Sequence, residues 1–372
     1  MKLQILQENL TQGLNLTSRF ASARAQLPIL GNVLILAKGN KLTVSSTNLE
    51  ISASVSMGAK IEKEGEIAVP AKVIAELVGN LPKETINLVS EKEQLEVSSG
   101  SFSSKVLGMN TSDFPSVPTS LGKDSKIVLL RKDLNEAILD VLFSTSIDET
   151  RPILTGVLFI FAKDKLTLVA TDGFRLSQKK LKVDELSLNT KIVIPKLILS
   201  ELPRIEQEED ILSFKLQEKE KQIMFAAKDT ILSSRLLEGE FPDYEKIIPK
   251  SASYKVRVDK EELERAVKLA SIFAKDAANI LKIKLFLSSI KVSAESSQSG
   301  SQSTKVEAKI EGNISKEGFE IAFNYKFLED FLHAVGDEEI NIEFSNTTSP
   351  GVFTKATDPS YLHLIMPVRV QG

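Results

Sequence analysis

The sequence predicts an α+β fold of three similar domains, each with two helices packed on antiparallel sheets. The first observation behind this is that the chain repeats itself. Pro28-Ile29-Leu30 matches Pro152-Ile153-Leu154, Lys41-Leu42-Thr43 matches Lys165-Leu166-Thr167, and Thr47 matches Thr171, all at one constant offset. A looser third copy sets Ile280-Leu281 against the Ile-Leu pair and Leu285-Phe286 against Leu158-Phe159. The second observation is a strand that runs into a helix through Pro or Asn in every copy: Glu66 to Pro70, Lys191 to Pro195 and Glu320 to Asn324. The third is a Pro-containing exit, at Asp113-Phe114-Pro115, Phe241-Pro242-Asp243-Tyr244 and Asp358-Pro359-Ser360-Tyr361. Copies this long exceed solenoid units, so each should carry its own core. The 372 residues then divide into domains of ordinary size at 1–122, 123–250 and 251–372.

Each copy opens on an alternating strand and a helical stripe. In the first, Lys2 to Leu6 alternates, and Leu10, Leu14, Leu16 and Phe20 recur at roughly helical spacing across Asn9 to Ala25, ending before Pro28. In the second, Ile127 to Leu130 precedes Leu134, Ile138, Val141 and Leu142, with Asp133 placed to complement the helix dipole. In the third, Tyr254 to Val258 precedes Leu263, Ala266, Val267, Ala270 and Phe273. Short strands joined by polar turns follow, as at Ala37 to Lys41 and Ala162 to Lys165. A second helix begins at each Pro or Asn step: Ala71 to Val78, Lys196 to Leu202 and Tyr325 to Val335. Pro70 and Pro195 suit a helix's first turn, where a missing N–H costs little. The Ser/Gln-rich run Ser293 to Thr304 reads as a solvated hairpin tip.

Composition excludes several functions. With 42% hydrophobic and 26% charged residues the chain has an ordinary soluble balance, and no stretch is apolar enough to span a membrane. The absence of cysteine excludes disulfides, thiol catalysis and thiolate metal sites, and fits a reducing cytoplasm. A net charge of −3 argues against tight DNA binding by phosphate contacts alone. There is no P-loop, no His-Glu-x-x-His pair and no Gly-x-Ser-x-Gly elbow. Of the two histidines, His333 reads as a surface residue, and His363 faces opposite to its neighbours in an alternating strand. Glu206 to Asp210 reads as a solvated acidic loop with nothing apolar to shift a pKa. An enzyme is not expected, and neither is a cofactor or a metal.

Five segments, in order along the triplicated chain, resemble one family. They are Leu27 to Asn32, Glu149 to Gly156, Ala170 to Leu176, Glu240 to Tyr244 and Met366 to Arg369. On these the chain is similar, from Met1 to Gly372, to the bacterial replicative sliding clamp, the beta subunit of DNA polymerase III. The resemblance implies a head-to-tail homodimer forming a six-domain ring, with helices lining a hole that encircles double-stranded DNA. A closed ring is held by topology, so weak contacts that permit sliding suffice and the modest charge is no obstacle. Candidate contacts on or beside the predicted helices are Arg24, Lys72, Lys83, Arg131, Lys196, Arg204, Lys268 and Lys275, with Arg24 matching a DNA-contacting arginine of the family. Glu76, Glu136, Asp140 and Glu262 share those helices.

The resemblance also implies a pocket that takes Gln-x-x-Leu-Phe-like peptides of the replicative polymerase, the clamp loader and repair proteins. By position it comprises Thr171, Gly173, Phe174, Arg175, Leu176, Pro242, Lys246, Ile247, Leu364, Met366, Pro367, Val368 and Arg369, with a second lobe at Arg151, Asn324 and Phe327. Apolar walls would hold the anchors while Arg175 and Asn324 fix orientation, and binding should be roughly micromolar. Without the resemblance the same residues have structural readings: Leu364 and Met366 as core, Asp172 with Arg175 as a turn-stabilising pair, Phe241-Pro242 as a packing corner.

The ring seam would join the strand holding Ser103, Lys105, Val106 and Leu107 to the region of Ile272 and Phe273 and the edge strand after the Ser/Gln run. Ser301 to Thr304 is uncharged and Lys105 faces it almost alone, so closure should rest on apolar packing and strand pairing. Two departures from the family are Phe174, commonly His, and Glu245, often basic. The alternative readings are a clamp-derived protein-binding adaptor with weak ring closure and, more remotely, a carboxylate-dependent nuclease.

Overall fold

The structure is a computed structural model that describes residues 1–22, 27–122, 127–183, 188–205, 210–314 and 318–369. Six α-helices occur among the described residues, two per repeat: α1 Gln7–Thr17, α2 Ala71–Gly79, α3 Arg131–Leu142, α4 Lys196–Glu201, α5 Lys260–Ala274 and α6 Tyr325–Ala334. The first helix stops short of the expected Asn9–Ala25 span. The Thr17 hydroxyl bonds back to the Gly13 carbonyl at 2.8 Å, the backbone tightens into a 3₁₀ turn at Ser18–Phe20, and the last residues of the expected span lie outside the described ones. The α4 helix ends one residue early because Pro203 has no N–H to continue it, and Leu202–Arg204 form a 3₁₀ turn. Side chains cap the third repeat's helices: Asp259 accepts from the Glu262 N–H at 2.9 Å and Asn324 from the Lys326 N–H at 3.0 Å.

Two compact units emerge, and they do not follow the repeat boundaries. The first comprises Met1–Lys132 and Glu201–Leu236, the second Asp133–Ser200 and Leu237–Gly372. The reason is sheet continuity. In the first unit, Thr230–Arg235 of the middle repeat pairs antiparallel with Ile51–Gly58, making one eight-stranded sheet, and Ser52 and Ser233 share a buried 2.6 Å hydroxyl contact across the join. A five-stranded sheet completes this unit, its core built from Leu3, Leu10, Leu14, Val33, Val44, Ile74 and Leu88.

In the second unit, Arg175–Lys182 of the middle repeat pairs with Tyr361–Ile365 of the last, and a twelve-stranded sheet runs through both. One core lies among Leu263, Val267, Ile283, Phe331 and Phe353; a smaller one joins Leu158, Leu176 and Tyr244 to Val352 and Leu364. Gly156, beside the Pro152–Thr155 turn, permits a close strand approach, since a Cβ there would meet the Ile194 carbonyl oxygen at 2.5 Å. The Ser/Gln run is mostly ladder: Ser289–Ser296 pairs with Gly300–Glu311, leaving only residues 297–299 as a turn. Its polar side chains alternate to a solvated face while the backbone pairs normally. Among the described residues, no helix is long and apolar enough to cross a membrane.

Candidate functional site

Several of the residues expected to line a peptide pocket lie on or beside the turn between Lys165–Thr171 and Arg175–Lys182 in the second unit. The Asp172 carboxylate accepts from the N–H groups of Phe174 at 2.9 Å and Arg175 at 3.0 Å. The Thr171 hydroxyl donates to the Arg175 carbonyl at 2.6 Å and accepts from the Gly173 N–H at 3.1 Å, so this buried side chain serves the turn itself. Gly173 has φ of +95°, a conformation side chains disfavour, and a Cβ there would sit 3.1 Å from the Arg151 guanidinium. Arg151 reaches the Asp172 carbonyl at 3.2 Å and the Asp148 carboxylate at 3.5 Å.

Arg175 does not present a free guanidinium. Its Nε donates to Asp172 at 3.0 Å, one terminal nitrogen to Asp330 at 2.5 Å and the other to the Phe143 carbonyl at 2.8 Å. Its carbon lies 4.8 Å from the Phe327 ring centre and 5.6 Å from that of Phe143. The side chain is 10% exposed. It ties this turn to α6 and to the end of α3, and its contact with Asp172 agrees with the turn-pair reading. Leu176 and Leu364 are likewise interior, facing each other across the ladder in the smaller core. Phe174, Ile247 and Met366 are exposed, Lys246 precedes Ile247 in the Tyr244–Ile247 turn, and Pro367 is half-buried. The Met366 N–H bonds to the Phe174 carbonyl at 2.9 Å, which ties two of these together. Lys246 pairs with Asp243 at 2.7 Å. Asn324 spends its carbonyl oxygen on capping α6. Val368 is tied to the Ala322 carbonyl at 2.8 Å, and Arg369 is exposed.

Beneath this surface lies a buried polar layer that the sequence concealed. Asp140 of α3 meets Lys355 at 2.7 Å and Lys179 at 3.4 Å, and Lys179 also meets Asp358. Burial pushes the Asp140 carboxyl up, against the pull of both lysines. Burial opposes the Lys179 charge too, but Asp358 and Asp140 outweigh it and raise its pKa. His363 is fully buried; its Nδ1 lies 2.8 Å from the Ser177 hydroxyl and its ring stacks on Phe331 at 5.2 Å. The available signal was a carboxylate set within the apolar stripe of α3, between Ile138 and Val141.

The basic candidates fare unequally. In the first unit a cleft of about 1080 Å³ is lined by Arg19, Lys83, Arg204 and Lys228, by the acidic Glu8 and Asp229, and by polar residues such as Gln7, Asn9, Gln12 and Asn15. Lys83 and Arg204 are thus brought together, with Arg19 and Lys228 added by the structure. Lys83 pairs with Glu8 at 2.8 Å, which raises its pKa. Arg204 and Arg19 each reach the buried Glu201 carboxylate at 3.0 Å. Arg131 is not a free helix-face charge: it is half-buried and donates to the Ile205 carbonyl. In the second unit Lys196 is half-buried, its pKa lowered by burial and then by Arg175, while Asp330 opposes, so it is not an open helix-face charge. Lys72, Lys268 and Lys275 are exposed and make no ion pair among the described residues. Arg24 lies outside the described residues.

The chain also matches three family models in succession. These are described as DNA polymerase III beta subunit, N-terminal domain, over residues 1–118, central domain over 129–243 and C-terminal domain over 245–369. The chain belongs to the DNA polymerase III beta subunit family. It is 30% identical to the beta sliding clamp of Staphylococcus aureus strain N315 and 29% identical to that of Staphylococcus epidermidis, with 99% of each chain covered. Among solved structures, the DNA polymerase sliding clamp of Bacillus subtilis is 27% identical with a TM-score of 0.93, and the DNA polymerase III beta subunit of Thermotoga maritima 26% identical with 0.92, both over the full length of both chains.

For a member of the beta subunit family, unpaired sheet edges matter. Among the described residues, Phe102–Leu107 is the last strand of its sheet and pairs only with Gln94–Ser99. Residues 300–307 of the strand Gly300–Glu311 pair on one side with Ser289–Ser296, while Tyr254–Asp259 takes the other side only at 308–311. On the first edge Ser103 and Lys105 are exposed and Leu107 is 74% exposed. Val106 points inward to the core, as alternation requires, and leaves the expected seam. Ile272 of α5 is 58% exposed, and Phe273 packs partly on the core.

Proposed function

We propose that two copies of this chain close head to tail around duplex DNA and tether the replicative polymerase, the clamp loader and repair proteins through short Gln-x-x-Leu-Phe-like peptides. The observation that carries this reading is the end-to-end match to three beta subunit domains. The chain is a sliding clamp, and the family is one of non-enzymatic processivity factors. Such full-length similarity disfavours the adaptor alternative. Domains at 1–122, 123–250 and 251–372, and a cytoplasmic location, complete the proposal.

Three features support the site assignments. The exposed Phe174 and Met366, joined by a 2.9 Å backbone hydrogen bond, offer apolar anchorage beside a braced turn. The cleft with Arg19, Lys83, Arg204 and Lys228 supplies dispersed cations for phosphates that must slide. The two open edges, Phe102–Leu107 and 300–307, allow strand addition between copies. The test is topological: ring loaded onto nicked circular DNA should co-elute with it on gel filtration and come off when the DNA is linearised. Equal retention on circular and linear DNA would show binding without encirclement.

A further inference from the structure

We propose that the join between the first and middle repeats carries a second docking site, for an extended partner segment whose alternate side chains run basic, acidic, basic. It takes the turn at Asp172 as a docking turn, and to that extent rests on the peptide-pocket reading.

The first unit builds that turn a second time, bond for bond. The Thr47 hydroxyl donates to the Ile51 carbonyl at 2.9 Å and accepts from the Leu49 N–H at 3.0 Å, as Thr171 does with Arg175 and Gly173. The Asn48 side-chain oxygen accepts from the N–H groups of Glu50 at 3.0 Å and Ile51 at 2.9 Å, as Asp172 does with Phe174 and Arg175. The Glu50 carbonyl accepts from the Arg235 N–H at 2.8 Å, as the Phe174 carbonyl does from that of Met366. Leu49 has φ of +78° where Gly173 has +95°, so the turn keeps its shape even with a side chain that disfavours it.

What differs is the surface. Glu50 stands where the other turn has Phe174, and Arg235 where it has Met366. Beneath them Ser52 and Ser233, buried and sharing a hydroxyl contact, replace the apolar pair Leu176 and Leu364. A cleft of about 260 Å³ opens here, walled in part by Leu49 and by Pro115, the repeat counterpart of Pro242. Arg235 lies on the middle one of three strands, with Glu50 at the head of one neighbour and Glu220 two residues before its ladder partner Gln222 on the other. All of these charged side chains are exposed, and they make no ion pair or side-chain hydrogen bond among the described residues.

An apolar anchor would strip water from these charges and hydroxyls without replacing it. Phosphate would meet two carboxylates for one guanidinium. An extended segment places residues i, i+2 and i+4 on one side at intervals of about 7 Å. Long side chains in the order basic, acidic, basic can then pair with Glu50, Arg235 and Glu220 together. The order reads the same in both directions, so the site sets no chain polarity.

Fluorescence anisotropy of labelled Lys-Ser-Glu-Ser-Lys and its isomer Lys-Ser-Lys-Ser-Glu against the full chain tests this, because the two share composition and net charge. The wild type should prefer the first by roughly three- to tenfold. Arg235→Glu should bring the ratio close to one, while Glu218→Lys, on an exposed residue outside the cleft, should leave it unchanged. Unlabelled Gln-Leu-Ser-Leu-Phe should displace neither peptide. Equal affinities in the wild type, a preference that survives Arg235→Glu, an equal loss in Glu218→Lys, or displacement by Gln-Leu-Ser-Leu-Phe would each overturn the proposal. If the chain tells the isomers apart but does not bind Gln-Leu-Ser-Leu-Phe at all, the pocket at Asp172 falls and the site at Asn48 stands.

Discussion

Arg175 and Asp330 meet at 2.5 Å although 155 residues separate them in sequence. The first sits at the head of a middle-repeat strand and the second on α6 of the last repeat, so one guanidinium ties the turn at Asp172 to that helix. It also reaches the end of α3 through the Phe143 carbonyl.

Removing that tie should cost stability and binding together. Arg175→Ala leaves Asp172 and the Phe143 carbonyl without their partner and withdraws the support behind Phe327, and a loss of about 3 kcal/mol is expected. Because the Asp330 end is nearly half exposed, most of this loss comes from the Asp172 and carbonyl contacts. Arg175→Lys keeps charge without the fork and should fall between the two. Urea denaturation at unchanged m-value reads this; an unmoved midpoint for the alanine variant would contradict the bracing role.

Stability should fall as the medium is acidified from neutrality, and His363 should be one cause. Burial holds its imidazole well below the usual 6.5, with the Arg175 charge acting in the same direction. As pH drops through that unperturbed value the unfolded chain takes up a proton at His363 that the folded chain refuses. The unfolded state then binds more protons, and each further pH unit removes about 1.4 kcal/mol on this account. In His363→Phe, a ring of similar shape among Phe143, Phe331 and Phe353, the pH slope of unfolding free energy between neutrality and mild acid should shrink by one proton. An identical slope in both proteins would place the acid sensitivity elsewhere.

Ring closure should be apolar in character. Leu107→Asp or Ile272→Asp puts a charge on a largely exposed apolar side chain at the proposed seam and should shift sedimentation velocity from dimer to monomer. The facing edge Ser301 to Thr304 carries no charge, so the wild-type dimer constant should change little between low and high salt, unlike an interface held by ion pairs. A steep salt dependence would argue against this account.

The cleft of the first unit makes a separate prediction about DNA. Glu201 is buried and pins Arg19 and Arg204, each at 3.0 Å, leaving their remaining donors for phosphate. Arg19→Ala should reduce the slope of log affinity against log salt for short linear duplex by about 1, the loss of a single phosphate contact. An unchanged slope would remove Arg19 from the DNA-facing set.

Repeats, strand-to-helix steps and most element boundaries were legible because they rest on local signals: period-two and helical spacing, and Pro or Asn at a turn. Pairings across distant sequence were not. Lys196 resembles a solvated helix lysine until Arg175 and Asp330 arrive beside it. Arg131 shows no local reason to seek a carbonyl 74 residues away. Lys179 and Lys355 lie in strands buried on both faces, where alternation no longer marks charged residues as outward, so their layer with Asp140 could not be read. Val106 shows the converse, since the alternation that buries it could be counted from the exposed Leu107.

The sheet that crosses from the middle repeat into the last bears on how the chain can be cut. A fragment ending near residue 250 would strip Tyr361–Ile365 from Arg175–Lys182 and leave five ladder positions with bare donors and acceptors. Such a piece offers any similar edge a template, so it should aggregate where the intact chain does not. Proteolytic nicking at the repeat boundary would likewise leave the two pieces associated through that ladder, and separating them on a column would require denaturant.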